Sequence, residues 1–327
     1  MTERFCQCLI AEREPLAGAS GNISGREPDD VSRFSPRHIA FMFPVILLHL
    51  GCGLVFLTGA SGPALAVFLL SGAVQIFGVT MGYHRLLAHR SFKTSRQFQF
   101  VLALFGILAG QNGPLWWVGH HRHHHRYADR EQDPHSPNRG FFWSHMGWLF
   151  SPSCIPVRRH LVADLARYPE LLWLERYSYV VNIGFALLLY LFGEVCGALV
   201  RDAGTSGFQF VVWGTIVSTV CVYHAVWSAN SFCHRYGSRR YATADHSRNN
   251  LIVSLLTFGD GWHHNHHHCP YSARHGLRWW EIDINFLVLK LLAHLDIVWD
   301  LRLPAEQIDG NGSPRFARTG VDPGAAM

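Results

Sequence analysis

Charged residues are scarce in this sequence. Of its 327 residues only 16% are Asp, Glu, Lys or Arg, whereas 49% are hydrophobic. Soluble domains carry roughly 25% charged residues, so the shortage disfavours a wholly soluble protein and favours one embedded partly in a lipid bilayer. The net charge of +5 comes with no folded basic module of the kind that binds nucleic acid, so we expect no nucleic-acid partner.

Several metal and redox motifs are missing as well. The eight cysteines form no C-x-x-C pair, and several lie in apolar runs, which indicates buried reduced thiols instead of a disulfide framework. No H-E-x-x-H occurs, the spacing of zinc proteases, and no E-x-x-H, the spacing of soluble di-iron bundles. Neither a haem-binding His-Pro-Gly-Gly nor a ferredoxin-like cysteine cluster is found. A redox reaction would therefore need electrons from a separate protein.

Four long apolar runs are present, each close to the ~20 residues that cross a bilayer core. They cover residues 39–57, 64–82, 179–199 and 208–229. A short uncharged turn joins the first two runs, and a segment with few charges joins the last two. The sequence therefore predicts an all-α integral membrane protein with four transmembrane helices arranged in two hairpins.

Arginines are concentrated in residues 84–176 and 230–303, whereas the turns within the hairpins have almost none. The positive-inside rule then places both arginine-rich regions, and both chain termini, on the cytoplasmic side of the membrane. We expect this membrane to be a bacterial inner membrane. The two regions would together form a helical, histidine-rich cytoplasmic cap.

Shorter segments complete the domain plan. Residues 98–110 are too few to span a bilayer and predict an interfacial helix, and residues 282–301 predict an amphipathic surface helix. The membrane domain would cover residues 38–303. Polar flanks without periodicity predict a flexible arm at 1–37 and a disordered tail at 304–327.

Histidine is present in excess. The spacing H-x-x-H-H occurs twice, at His121, His124 and His125 and again at His263, His266 and His267. Residues three and four apart share one face of an α-helix, so each triplet presents its imidazoles together. A single triplet is compatible with a solvated surface, but two copies, each just beyond an apolar run, predict a metal site.

Two further groups lie beside the apolar runs. His84 and His89 follow the second run, and Asn230 and His234 follow the fourth at i, i+4 spacing. All of these segments emerge on one membrane face and can converge, and they offer too many ligands for one ion, so we predict two metal ions. His84 and His89 would be ~140° apart on an ideal α-helix, which predicts that they serve different ions. Imidazole alone does not choose between Zn, Cu, Fe and Ni.

These segments resemble the histidine boxes of the membrane fatty acyl desaturases, especially the stearoyl-CoA Δ9 type and its bacterial relatives. The matching segments are His84-Arg-Leu-Leu-Ala-His89, His121-Arg-His-His-His125, Asp133-Pro-His135, Asn230-Ser-Phe-Cys-His234 and Gly261-Trp-His-His-Asn-His-His267. The resemblance extends from about Phe41 to Leu301. It implies that two iron ions are held by His84, His89, His121, His124, His125, Asn230, His234, His263, His266 and His267, with the asparagine reaching its ion through water.

The resemblance also implies the reaction. With O₂ as co-substrate and two electrons, two hydrogens leave adjacent methylenes of a saturated acyl chain, giving a cis double bond, at Δ9 by analogy, and two waters. No side chain is required as acid or base beyond the metal centre. The substrate would be an acyl thioester, with CoA the expected carrier, or an acyl lipid. The electron donor would be a ferredoxin, rubredoxin or cytochrome b5-like protein with its reductase, docking on the arginine-rich face.

Substrate contacts are expected from two sources. Thr80, Ile76 and Gly72 lie at successive turns of the helix that presents His84, so they are candidates for the lining of an acyl tunnel. The resemblance adds further candidates from family positions, namely Gln111, Asn112, Trp117 and Trp227. Where acyl-CoA relatives place an Arg-Asp pair, this chain has Gly119 and His120, which leaves the carrier open.

Other side chains near the boxes are assigned supporting roles. Asp129, Asp133 and Asp260 could accept the second ring N–H of ligand histidines and orient them. The surplus histidines that flank the boxes are expected to lie outside the metal ligand set, and they are His120, His123, His264 and His268.

Two rival functions remain open. A lipid hydroxylase or ketolase on the same scaffold differs only in the fate of the oxidised carbon, and product analysis separates it from a desaturase. A membrane metal transporter is the rival from a different class. It would need ionisable groups inside the spans, where this sequence has almost none beyond His49, His224 and Glu194.

Overall fold

The computed structural model describes residues 36–199 and 204–304, so the predicted arm and tail lie almost entirely outside the described residues. The described part is mostly helical. Its two β-strands, Lys93–Thr94 (β1) and Val298–Trp299 (β2), pair antiparallel with Lys93 opposite Trp299.

Four helices in the described part are long and apolar enough to cross a membrane. These spans, numbered in chain order, are Phe41–Thr58, Gly62–Ala88, Pro169–Leu199 and Gly207–His234. All four coincide with the predicted apolar runs. The third span begins ten residues before its predicted start because Leu171 and Leu174 are buried, and this amphipathic extension joins the apolar run at a kink at Tyr177.

The helices are numbered along the chain. The first span comprises α1 (Pro36–Gly51), a 3₁₀ turn and α2 (Val55–Thr58), and the second comprises α3 (Gly62–Phe77) and the π-helical segment Gly78–Ala88. The segment between the second and third spans contains α4 (Arg96–Leu108), α5 (Pro114–Tyr127) and α6 (Phe141–His145), and α7 (Pro169–Leu199) is the third span. The fourth span comprises α8 (Gly207–Val211), the π-helical segment Val212–Val217, α9 (Ser218–Ser231) and a 3₁₀ turn Phe232–His234. The remaining helices are α10 (Leu251–Leu256), α11 (His263–His268) and α12 (Ile284–His294).

Side-chain caps explain where several helices begin. The hydroxyls of Ser61 and Ser95 accept the N–H groups that open α3 and α4, and Asn250 and Asp283 do the same for α10 and α12. Each cap satisfies one backbone donor that the first helical turn leaves free. The helix predicted at 98–110 is observed as α4, which starts directly after Ser95 and ends at Leu108; its position at the membrane interface stays a prediction.

The predicted helix over 282–301 is wrong at its C-terminal end. α12 stops at His294, and Asp296 has a φ of 56°, a left-handed conformation that an α-helix cannot continue. The chain then turns into β2, whose pairing with β1 connects this part of the chain to the segment just after His89.

The second span crosses α4 at very short range. A Cβ added to Gly78 would lie 2.1 Å from the carbonyl carbon of Phe105, and one added to Gly82 would lie 2.7 Å from the oxygen of Leu102. Only glycine permits this approach of two backbones. The same segment, Gly78–Ala88, is wound as a π-helix and carries the first histidine of the site.

Candidate metal centre

The nine predicted ligand histidines form two adjacent groups. The five-histidine cluster contains His84, His89, His121, His125 and His266, and the four-histidine cluster contains His124, His234, His263 and His267. Within each cluster, one ring nitrogen of every member lies within 4.8 Å of those of the others. The tenth predicted ligand, Asn230, lies on α9 and lines two cavities beside the clusters.

The H-x-x-H-H spacing distributes each triplet over both clusters. On α5, His121 and His125 enter the five-histidine cluster, whereas His124 enters the four-histidine cluster. α11 does the reverse, because His266 joins the first cluster and its neighbours at i−3 and i+1 join the second. Each triplet therefore links the two clusters instead of serving one.

The prediction that His84 and His89 face different ways is wrong. Their ring centroids are 4.9 Å apart and both belong to the five-histidine cluster. The cause is the π-helical winding, in which the N–H of His89 bonds to the carbonyl of His84 at 3.1 Å. An i to i+5 bond places residues five apart on the same face.

The Nε2 atoms point toward one another inside each cluster. In the first, Nε2 of His89 lies 2.7 Å from that of His121, and Nε2 of His84 lies 3.0 Å from that of His266. In the second, the corresponding separation between His234 and His263 is 3.0 Å. Convergence of this one type of nitrogen is the arrangement in which imidazoles bind a metal ion.

Carboxylates hold the opposite nitrogen of four of these rings. Nδ1 of His84 lies 2.6 Å from Asp260, and Nδ1 of His124 lies 3.0 Å from Asp133. His234 lies 2.8 Å from Asp129, so all three predicted orienting carboxylates are beside ligand imidazoles. The fourth contact, 2.8 Å between Nδ1 of His267 and Asp245, was not predicted. Asp245 lies in an arginine-bearing loop 22 residues before His267, and its sequence surroundings do not indicate this role.

These contacts fix which nitrogen carries the proton. A carboxylate beside Nδ1 accepts its hydrogen, so in a neutral ring Nε2 is left with a lone pair. Burial lowers the pKa of His267 to about 4, which keeps this ring neutral. Burial, followed by the neighbouring histidines, also lowers the pKa values of His121, His125 and His266 well below the usual range. Burial would lower the pKa of His124 as well, but the charge of Asp133 raises it. Converging lone pairs on the uncharged rings repel one another unless a cation lies between them, so the donor set fits metal ions.

A buried arginine in the His84–His89 segment contacts the chain just before the Gly261–His267 segment. Arg85 is fully buried and donates to Asp260 at 2.9 Å and to Asp283 at 3.1 Å. It also donates to the carbonyl oxygen of Ala273 at 2.7 Å. Because the carboxylate of Asp260 also binds His84, one charged network fixes the second span, the loop before α11 and the start of α12.

Two neighbouring cavities reach the clusters. The larger, of about 750 Å³ including its opening, is lined by Phe41, Pro44, Val45, Gly110, Gln111, Asn112, Trp116, Trp117, His120, His121, His135, Trp148, Leu149, Tyr179, Tyr223, Val226, Trp227 and Asn230. The smaller, of about 390 Å³, is lined by Val79, Thr80, His84, Trp117, His121, Val226, Ala229, Asn230, Thr257, Asp260 and His263. They share several residues, among them Asn230 and Trp117, so both adjoin the same side of the candidate centre.

The predicted substrate residues divide into two sets. Gln111, Asn112, Trp117 and Trp227 line the larger cavity, and Thr80 lines the smaller one. Ile76 is buried in an apolar cluster with Val79, Ala109, Val222 and Ala225. Gly72 is half-buried, and a Cβ added there meets nothing within 4 Å. Neither Ile76 nor Gly72 lines either of these cavities.

The four surplus histidines lie outside both clusters. Nδ1 of His120 bonds to the carbonyl of Trp116 at 2.9 Å, and Nε2 of His123 bonds to that of Gln132 at 2.9 Å. His264 is held by Ser247 and by the backbone N–H of Tyr241, and His268 stacks on the ring of Tyr241 at 3.9 Å. Burial lowers the pKa of His120 to about 4, so this ring is neutral in the cavity wall.

Four candidate membrane spans and nine clustered histidines define a polytopic membrane protein with a candidate dinuclear metal centre.

Residues 60–293 match the family model described as fatty acid desaturase. The chain is 41% identical over 263 residues to an sn-1 stearoyl-lipid 9-desaturase of Anabaena variabilis, covering 78% of this chain and 90% of the relative. It is 40% identical over 273 residues to an acyl-CoA 5-desaturase of Anemone leveillei, covering 82% and 80% of the two chains. A second sn-1 stearoyl-lipid 9-desaturase, from Synechocystis, is 38% identical over 252 residues, covering 77% and 74%.

The chain therefore belongs to the fatty acid desaturase family, and it is an oxidoreductase of the fatty acyl desaturase class. The resemblance seen in the histidine boxes is confirmed over most of the chain.

Proposed function

We propose that this enzyme introduces a cis double bond at the 9 position of a saturated acyl chain, with two iron ions held by the nine clustered histidines and Asn230. The observation that carries the proposal is the convergence of Nε2 atoms in two adjacent clusters beside two neighbouring cavities. When bound, the irons would supply the O₂-dependent oxidation that an unactivated C–H bond requires. The balanced reaction joins the acyl chain, O₂, two electrons and two protons to give the alkene and two waters.

The protein's own contribution is to hold and position. Trp117 stacks on the ring of His121 at 4.9 Å and donates from Nε1 to Gln111 at 3.1 Å. Its ring thus forms, together with His121, part of the boundary between the five-histidine cluster and the larger cavity. An acyl chain lying against Trp117 would present one pair of methylenes to the centre. Such proximity is what can distinguish chemically equal CH₂ groups.

The cavity suits an apolar, uncharged ligand. None of its lining residues is Asp, Glu, Lys or Arg, and burial lowers the pKa values of His120 and His135 to about 4 and about 3. Two relatives named above act, by name, on stearoyl lipids and one acts on an acyl-CoA. Together these observations support a membrane acyl lipid as the substrate, with acyl-CoA as the alternative.

The membrane arrangement and the redox partner complete the proposal. The four spans would form two hairpins with the histidine-bearing cap and both termini in the cytoplasm, as the arginine distribution indicates. Electrons would come from a separate ferredoxin, rubredoxin or cytochrome b5-like protein, itself reduced by its own reductase.

The test is expression in a host that lacks its own desaturase, followed by mass spectrometry of intact lipids, acyl-CoAs and released fatty acids. The proposal expects monounsaturated chains with the double bond at carbon 9, appearing first in the lipid pool. Saturated chains left unchanged by folded, iron-loaded protein would overturn it. Hydroxylated or keto products would instead assign the scaffold to the rival oxidation.

A further inference from the structure

Three histidines that the proposed metal centre does not use form a hydrogen-bonded chain beside the larger cavity. His49 belongs to the first span, His224 to the fourth span and His145 to α6. Nε2 of His49 lies 3.2 Å from Nε2 of His224, whose Nδ1 lies 3.0 Å from Nε2 of His145. Nδ1 of His145 lies 2.9 Å from the hydroxyl of Ser231. We call His49, His224 and His145 the histidine chain.

One carbonyl sets the direction of the whole chain. Nδ1 of His49 lies 2.7 Å from the carbonyl oxygen of Val45, and a carbonyl can only accept, so His49 is protonated on Nδ1. Its neutral Nε2 must then accept from Nε2–H of His224. By the same rule Nδ1 of His224 accepts from Nε2–H of His145, which leaves Nδ1 of His145 as an acceptor facing the hydroxyl of Ser231. That hydroxyl also lies 3.2 Å from the carbonyl oxygen of Trp227 and has one proton to give to either partner.

This arrangement differs from that of the metal clusters. There one nitrogen of each ring converges on a common centre, whereas here both nitrogens of every ring are occupied by neighbours along a line. The chain therefore has no nitrogen left for an ion. Burial lowers the pKa of His145 to about 4, in keeping with an uncharged chain whose rings act as paired donors and acceptors.

The histidine chain surrounds one residue of the cavity wall. The ring of Trp227 is 4% exposed, and its centroid lies 5.6 Å from that of His224, 6.0 Å from that of His145 and 6.3 Å from that of His49. Tyr223 stacks on Trp227 at 4.8 Å. Trp227 and Asn230 line the same cavity from the same helix.

The histidine chain also links the first span to the fourth. Of residues 41–58 only Met42 is buried, yet Phe41, Pro44 and Val45 of this span form one wall of the larger cavity. A hydrogen bond between polar side chains within membrane spans is unusual and mostly serves a specific arrangement. Here the bond between His49 and His224 connects the cavity wall formed by the first span to the wall formed by the fourth span.

We propose that the histidine chain determines positional selectivity. On the proposed function that this inference builds on, His49, His224 and His145 are positioning residues that hold the first span against the fourth and keep Trp227 in one orientation. The acyl chain is then held at one depth relative to the metal centre. Without the histidine chain, the cavity would bind the acyl chain at more than one depth.

The test replaces the central ring in the intact, iron-loaded enzyme. His224→Leu removes both hydrogen bonds, whereas His224→Gln keeps one acceptor and one donor on its amide. We expect His224→Leu to retain its iron and to raise the ratio of misplaced to correctly placed double bonds at least about fivefold, which corresponds to about 1 kcal/mol in relative barrier height. His224→Gln should restore most of the selectivity, and His160→Leu, at an exposed histidine outside the chain, should leave it unchanged.

A second measurement does not depend on activity. ¹⁵N NMR of histidine-labelled protein should show His49 protonated on Nδ1 and His224 and His145 protonated on Nε2, with the resonances assigned by comparison with His49→Leu. An unchanged isomer ratio in folded His224→Leu, or a different set of tautomers, would overturn the histidine chain. Absence of any unsaturated product from the wild-type enzyme would instead overturn the proposed function, and the tautomers would still report whether the chain exists.

Discussion

Nδ1 of His84 lies 2.6 Å from one carboxylate oxygen of Asp260, and the other oxygen accepts a hydrogen bond from Arg85 at 2.9 Å. One acidic side chain thus orients a ligand of the first histidine box while a buried guanidinium balances its charge. Asp245 also orients a histidine ring, with one oxygen 2.8 Å from Nδ1 of His267. The orientation of the rings is therefore as much a property of these carboxylates as of the helices.

We predict that Asp245→Asn weakens metal binding without unfolding the protein. A carboxylate behind a ligand histidine fixes which ring nitrogen carries the proton. Its loss typically lowers metal affinity about 10–100-fold, and we expect a decrease of that size here. Iron retention during dialysis against a graded chelator series measures the change. The matched control is Asp300→Asn, because Asp300 is exposed, pairs with exposed Lys93, and belongs to neither cluster. Equal iron retention in both variants would rule out the role given to Asp245.

Alanine substitutions at two histidines of α5, His121 and His123, should have opposite effects on activity. His121→Ala removes a member of the five-histidine cluster, so we expect activity to fall below detection and iron to be lost from that cluster. His123→Ala removes a bond to the carbonyl of Gln132 and a ring contact with Tyr127, and it should retain activity within about twofold, as expected for a substitution away from the chemistry. Fatty acid profiles of cells that express each variant provide the measurement. An active His121→Ala would contradict the site.

Asp164 should stabilise the fold in a pH-dependent way. It receives two hydrogen bonds from Arg122 at 2.7 and 3.0 Å and one from Arg90 at 2.6 Å. Burial alone would raise the pKa of Asp164, but these bonds and charges lower it below its usual value. Its contribution is then fully present above the ordinary carboxyl pKa of about 4 and is lost as the pH falls through the lowered value.

Asp164→Asn should accordingly lower the free energy of unfolding at pH 7 by about 1–3 kcal/mol. The difference from the wild type should shrink as the pH falls below about 4. Denaturant titrations in detergent at several pH values measure both effects. A deficit that stayed constant from pH 7 to pH 3 would show that Asp164 acts through packing and not through its charge.

Two glycines in the second span provide a matched pair of packing variants. Gly78→Ala places a methyl group 2.1 Å from the backbone of α4, so the helices must separate, at a typical cost of about 1–3 kcal/mol or more. Gly72→Ala introduces the same atom into open space and should leave both thermal stability and product unchanged. Thermal unfolding and fatty acid analysis distinguish the two. A shift in double-bond position in Gly72→Ala would restore Gly72 as a tunnel residue.

Local sequence patterns were sufficient for the spans and for most of the site. Hydrophobic runs of bilayer length located all four spans, and the H-x-x-H-H spacing identified residues that the fold brings into two clusters. Both signals depend on residues close in sequence, and helical periodicity relates them directly. The carboxylates Asp129, Asp133 and Asp260 could be anticipated because each lies within nine residues of a box histidine.

Features that depend on distant contacts could not be anticipated. The π-helical winding that turns His89 toward His84 accompanies the close packing of Gly78 and Gly82 on α4. Asp245 reaches His267 only through the path of a long loop, and β1 pairs with β2 across about 200 residues. The contact between His49 and His224 likewise joins residues 175 positions apart, where sequence periodicity carries no information.

The central claim is that two histidine clusters each hold one iron ion beside the acyl cavity. It is tested most directly by metal analysis combined with Mössbauer spectroscopy of purified, ⁵⁷Fe-loaded protein. The account predicts two iron ions per chain in nitrogen-rich environments, with His124→Ala reducing only one of the two signals. One iron per chain, or a full complement of zinc in catalytically active protein, would contradict it.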